Sequence, residues 1–199
     1  MGEIYIPKKQ ILRAGHEQKK KIFITGSAGV GKSATADTLS EITGIPHLHT
    51  DLIVVNPDYS YVPEEIFVAK VQEFLNKNPS WIIEGHSLGR NPDLFSLIYS
   101  LSDMVLDFKF SQDESIQGFT KRMIEIKKGN APHSIHVTTD YASADTYRLG
   151  IQLNNSLVQK FTDLRKGLLV GDKVNTFTNH DQLNQFIDEF KETQQVLAC

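Results

Sequence analysis

The sequence predicts an α/β protein: a three-layer sandwich with a parallel sheet covered by helices on both faces. Three observations lead there. Short apolar runs alternate along the chain with segments of helical periodicity. The runs are continuously apolar, as in strands buried on both faces, and do not alternate with polar residues. A small-residue loop sits between the first such run and the first helical segment.

In chain order, residues 1–20 form a polar extension with one short apolar alternation from Ile4 to Ile6. Lys21–Thr25 (KIFIT) is a compact apolar run ending in Gly26, the mark of a buried strand. A helix should run from Lys32 to about Thr43, where Gly44 stops it. Ile45–His49 is a second, weaker strand. Pro63–Leu75 is a helix: Pro63 suits a first turn, and Phe67, Val71, Phe74 and Leu75 share one face. Ser80–Glu84 (SWIIE) is a third strand, Pro92–Leu101 a short helix, and Asp103–Phe110 (DMVLDFKF) a fourth strand. Ile116, Phe119 and Met123 mark a helix to about Lys128, followed by a polar loop, Gly129–Tyr141. A long helix is expected from Ala142 to Arg165, and Lys173–Phe177 reads as the last strand. Asp181–Phe190 is amphipathic, with Leu183, Phe186, Ile187 and Phe190 on one face.

Composition narrows the function classes. The 199 residues fit one domain with insertions, and 40% hydrophobic with 23% charged residues is ordinary for a folded protein. No apolar run approaches the roughly 18–20 residues that span a bilayer. A formal net charge of −3 argues against a sequence-blind nucleic-acid coat, since that affinity comes from many phosphate contacts. The single cysteine, Cys199, has no internal partner, which suits a reducing compartment. Met1–Lys21 carries no apolar signal segment, and Ile6 stands where a myristoylation motif needs Ser or Thr. A cytoplasmic protein is expected.

Residues 26–33 set the chemistry. They read Gly26-Ser27-Ala28-Gly29-Val30-Gly31-Lys32-Ser33, the G-x-x-x-x-G-K-[ST] phosphate-binding loop. Small residues let the backbone curl so that its N–H groups point inward at phosphate oxygens. The helix that starts at Lys32 turns its partial positive end to the same anion. Lys32 supplies a point charge for the outer phosphates, and the Ser33 hydroxyl is a ligand for Mg²⁺. The loop follows a buried strand and opens a helix, the context this motif requires. A GTPase would need N-K-x-D and D-x-x-G signatures. Asn179-His180-Asp181 is only a partial echo of the first.

With this loop, five strands and two helical stretches in loop positions, the chain resembles the nucleoside-monophosphate-kinase-like group. It looks closest to adenylate-kinase-related kinases of the DNA topology modulation type. Four stretches carry the resemblance: Ile22–Ser33, Ile45–Asp51 (IPHLHTD), Trp81–Arg90 (WIIEGHSLGR) and Val174–Phe186. It implies a five-stranded sheet in the order 2-3-1-4-5 within residues 21–199, an acceptor-binding segment at about 50–80 and a lid at about 115–150. It further implies transfer of the γ-phosphoryl of ATP, with Mg²⁺, to a small acceptor. A nucleoside monophosphate leads; a nucleoside, a metabolite, an RNA end or a non-kinase nucleotide-binding role are the alternatives.

Candidate site residues follow from the loop and the resemblance. Gly26 through Ser33, with Thr35, would hold the nucleotide. Asp51, after the second strand, would bind or activate the acceptor, because sheets of this kind bind ligands at the carboxyl ends of their strands. Glu84, ending the third strand, would hold Mg²⁺ with Ser33 or orient the acceptor. Arg90 would clamp an anionic acceptor. Arg122 and Arg148 are the catalytic candidates of the lid, with Arg165 a weaker one. His86, Tyr59 and Tyr61 lie near the acceptor segment. His133 and His136 form an H-x-x-H with no third ligand nearby, a poor metal site.

Overall fold

The computed structural model of the chain describes residues 20–27, 29–54, 56, 60–85, 87–127 and 171–197. Five strands pair in parallel in the order β2-β3-β1-β4-β5. They are β1 (Lys21–Gly26), β2 (His47–His49), β3 (Trp81–Glu84), β4 (Met104–Phe108) and β5 (Val174–Phe177). The helices are α1 (Lys32–Thr43), the single turn α2 (Thr50–Ile53), α3 (Glu64–Lys77), α4 (Pro92–Leu101), α5 (Gln112–Lys127) and α6 (His180–Leu197).

Strand alternation splits the core into two layers. Phe23, Trp81, Ile83 and Val105 point to one face and pack with Phe67 and Val71 of α3 and Leu94, Phe95 and Ile98 of α4. Ile22, Ile24, Ile82, Leu106 and Phe108 point to the other, against Ala36 and Leu39 of α1 and Leu183, Phe186 and Phe190 of α6. Each strand therefore needs apolar side chains at consecutive positions, which is why these runs show no polar alternation.

Several boundaries differ from those the sequence suggests. The second strand begins at His47, not Ile45, because the Ile45 carbonyl accepts from Ser40 Oγ at 2.7 Å and its N–H donates to Thr43 Oγ1 at 3.2 Å. The end of α1 thus occupies the backbone groups that would have extended the strand. The fourth strand stops at Phe108, two residues short of the expected Phe110. Helix α5 starts earlier than the apolar pattern indicates, at Gln112. The cause is a reciprocal cap: Glu114 N–H donates to Ser111 Oγ at 3.2 Å, and Ser111 N–H to Glu114 Oε2 at 3.0 Å. Helix α6 extends to Leu197, beyond the expected Phe190. Two short elements were not expected: α2, and a 3₁₀ turn over Ser87–Arg90. The expected helix at 142–165 and the loop at 129–141 lie outside the described residues.

Candidate functional site

The loop runs from the carboxyl end of the central strand β1 into α1. Gly26, Gly29 and Gly31 all have positive φ, 148°, 81° and 90°. At Gly26 the requirement is doubled, because a Cβ would lie 2.7 Å from both Cβ and carbonyl oxygen of Phe108. Gly31 caps α1 with no side-chain hydrogen bond, so no side-chain group competes for the first-turn N–H donors. Lys32 is buried at 7% exposure, and its Nζ donates to the Ser27 carbonyl at 2.7 Å. The amine is thereby held across the mouth of the loop. Thr35 braces the first turn of α1: its hydroxyl donates to the Gly31 carbonyl at 3.0 Å. Ala28 lies outside the described residues.

Two further elements press on the loop. Gly118 of α5 lies so near Gly29 that an added Cβ would overlap the Gly29 carbonyl. Arg122 is one turn further along, on the same side of α5, and is exposed. On the other flank the His180 ring stacks edge-on against Phe110, centroids 4.7 Å apart, with its Cε1 3.8 Å from where a Gly31 Cβ would be.

The acidic side is built by register. His49 of β2 and Glu84 of β3 are direct partners in the parallel ladder, so their side chains stand side by side beneath α1. Glu84 is only 2% exposed. Its Oε1 accepts from Ser33 Oγ at 3.2 Å and meets His49 Nδ1 at 2.6 Å. Its Oε2 is buried with no hydrogen-bond partner among the described residues. A buried carboxylate oxygen left in this state beside a hydroxyl is suited to a cation. Asp37, one turn after Ser33 on α1, continues the chain: its Oδ1 lies 3.1 Å from Nε2 of both His47 and His49. Burial pulls the His49 pKa down, but hydrogen bonds and charge from Glu84 and then Asp37 outweigh it. The imidazole is held above its ordinary value.

Asp51 lies in the turn that follows β2, and its Oδ1 is 3.2 Å from where a Cβ on Gly85 would be. Glu84 and Asp51 thus both lie next to Gly85, at the carboxyl ends of adjacent strands. Gly85, at φ 144°, is required here because a side chain would overlap the hydroxyl of the fully buried Thr50. Thr25 and Asp107 are neighbours in the β1–β4 ladder and fully buried, with Asp107 ion-paired to Lys109 at 3.5 Å. Arg90 lies in the 3₁₀ turn after Gly85, and its side chain is not described. Tyr61 is 61% exposed. Arg148, Arg165, His86, Tyr59, His133 and His136 fall outside the described residues.

Sequence reasoning missed Asp37, His47, His49 and Gly118. The two histidines carried a period-two signal, His47-Leu48-His49 on a strand, and Asp37 carried a helical one, four residues after Ser33. Gly118 carried none, because its role depends on a loop some ninety residues away.

The parallel sheet, the glycine-rich loop with Lys32 and the Ser33–Glu84 pair define an α/β protein with its candidate site at the carboxyl ends of the strands. No helix among the described residues is long and apolar enough to cross a membrane. No family model matches the sequence, and no curated protein does. Solved structures do match. Shikimate kinase from Bacteroides thetaiotaomicron is similar with a TM-score of 0.56 at 12% identity, over 88% of this chain and 98% of that one. A gluconokinase from Sinorhizobium meliloti is similar with a TM-score of 0.50 at 13% identity, over 90% of this chain and 94% of that one. The chain has the fold of the phosphate-loop kinases.

Proposed function

We propose that the chain is a phosphotransferase that moves the γ-phosphoryl of ATP to a small acceptor, with a nucleoside monophosphate as the leading acceptor. The observation that carries this reading is the pairing of Ser33, next to Lys32 where the loop enters α1, with the buried Glu84. Carboxylates beside the phosphates would repel bare nucleotide, so their place there calls for a cation between them. Carboxylates at that place suit a reaction in which a cation and an acceptor oxygen come between them.

Ser33 and Glu84 would hold Mg²⁺, which when bound neutralises charge on the transferring phosphate. The loop amides and Lys32 bind and orient the β- and γ-phosphates. To reach them, Lys32 exchanges its bond to the Ser27 carbonyl for phosphate oxygens. Asp51 positions the attacking oxygen of the acceptor, and takes its proton where that oxygen belongs to a hydroxyl. Arg122, four residues after Gly118 on α5, would meet developing charge. Arg90 and Arg148 complete the expected set of anion-binding groups. The acceptor segment at about 50–80 and the lid at about 115–150 belong to the same reading, as do residues 1–20 as an extension and a cytoplasmic location.

The resemblance to adenylate-kinase-related proteins favours a nucleotide acceptor. A second reading, a small hydroxylated acid, is favoured by the names of the two structural neighbours, shikimate kinase and gluconokinase. Acceptor-dependent ADP release decides between them, with Mg-ATP and separate panels of nucleoside monophosphates and of sugar and cyclic hydroxy acids. Strong stimulation by one panel names the acceptor class. Slow hydrolysis unchanged by every acceptor overturns the kinase reading.

A further inference from the structure

Asp37, His47 and His49 form a group the phosphotransfer reading does not use. Leu48 packs into the core layer under α3 and α4. Strand alternation therefore turns His47 and His49 to the opposite side, beneath α1. There Asp37 Oδ1 stands 3.1 Å from the Nε2 of each. The three potential donor atoms all lie within 4.8 Å of one another. A tetrahedral ion with bonds of about 2.0–2.1 Å sets its ligands roughly 3.3 Å apart, so two of the three edges are already near that length.

An independent feature points the same way. Metal-bound histidines usually donate their second ring N–H to a carboxylate, which fixes the tautomer and raises the basicity of the ligating nitrogen. His49 has that arrangement: its Nε2 faces Asp37, and its Nδ1 lies 2.6 Å from the buried Glu84. Two imidazole nitrogens and one carboxylate are poor ligands for Mg²⁺, which takes oxygen, and good ones for zinc-class ions. Side-chain exposures of 31% for Asp37 and 29% for His47 leave a fourth position open to water.

We infer that Asp37, His47 and His49 form a binding site for a zinc-class divalent ion, distinct from the Mg²⁺ position at Ser33 and Glu84. The ion ties the edge strand β2 to α1. Through the His49–Glu84 hydrogen bond it also fixes the carboxylate that meets Ser33. The site requires no nucleotide and stands whether or not the chain transfers phosphate.

The test uses the full chain, stripped with chelator, in millimolar Mg²⁺ without ATP. Co²⁺ is titrated first and followed by its visible absorption. Zn²⁺ affinity is then taken from competition. One equivalent of Co²⁺ is expected, with the intense bands of a tetrahedral centre, displaced by Zn²⁺ but not by Mg²⁺. His47→Ala and Asp37→Asn should each weaken Zn²⁺ binding about 100-fold or more. Glu84→Gln, which leaves the three ligands in place but alters the hydrogen bond to His49, should weaken it about 10- to 100-fold. Replacing both His133 and His136 by Ala should change nothing. Asp37→Asn keeps the size of the side chain, so it reports even if His47→Ala fails to fold by circular dichroism. Absence of stoichiometric Co²⁺ binding overturns the proposal, and so does full Zn²⁺ affinity in folded Asp37→Asn.

Discussion

Lys32 donates to the Ser27 carbonyl, and that contact separates its two roles. The bond to Ser27 is a modest stabiliser, worth on the order of 1 kcal/mol net. Its proposed work is on phosphate. Lys32→Ala should therefore melt within a few degrees of the parent and lose phosphoryl transfer by about 10²-fold or more. Parallel thermal melts and turnover assays check this, and normal turnover in a folded variant would remove the loop assignment. Asp51 makes the complementary case. It lies in the turn after β2, beside Gly85, and belongs to neither the loop nor α1. Asp51→Asn should leave ATP affinity nearly intact and cut transfer about 10²-fold, if the carboxylate activates or positions the attacking oxygen. Equal losses in ATP binding and transfer would instead mark Asp51 as a support of the fold.

At the scale of elements, the decisive contact is α5 on the phosphate loop. Gly118 is a glycine inside a helix, which costs helix stability of about 1 kcal/mol relative to Ala. The fold retains that cost because the Gly29 carbonyl occupies the space of a side chain. Gly118→Ala is thus expected to reverse the usual outcome of such a change. The helix gains propensity, yet the overlap with backbone forces α5 away from the loop, at a cost of roughly 1–3 kcal/mol. Denaturant unfolding should show net destabilisation, and calorimetric titration should show weaker ATP binding. A stabilised variant with unchanged ATP affinity would show that α5 and the loop are not in close contact.

At the scale of the molecule, the site lies where both core layers end. The loop leaves β1 at the centre of the sheet, Glu84 and Asp51 follow the strands to one side, and Phe108 and His180 follow those to the other. A ligand there contacts elements from both halves and stabilises the folded state as a whole. At a concentration 100 times its Kd, ATP should add about 2.7 kcal/mol. For a chain of this size that raises Tm by roughly 5–10 °C. The shift should be largely absent in Lys32→Ala. A scanning calorimetry series checks this, and no shift with saturating ATP would contradict nucleotide binding at the loop.

Much of this protein was determined by local sequence. Alternating strand and helix periodicities specify the layers, because each periodicity reports which faces must be buried. The glycines and Lys32 of the loop are legible because a backbone curled around phosphate needs those residue types at that spacing. The neighbourhood of Asp51 and Glu84 could be anticipated once the strand order was inferred from resemblance. The tertiary structure alone decided the rest. That Glu84 is buried and shared between Ser33 and His49 depends on the register of β2 on β3, which no local pattern encodes. That Asp37 meets two histidines depends on how α1 lies across the edge strand. That a helical glycine must stay small depends on a carbonyl from the loop. These are contacts between segments far apart in the chain, and their physical requirement appears only when packing brings the segments together.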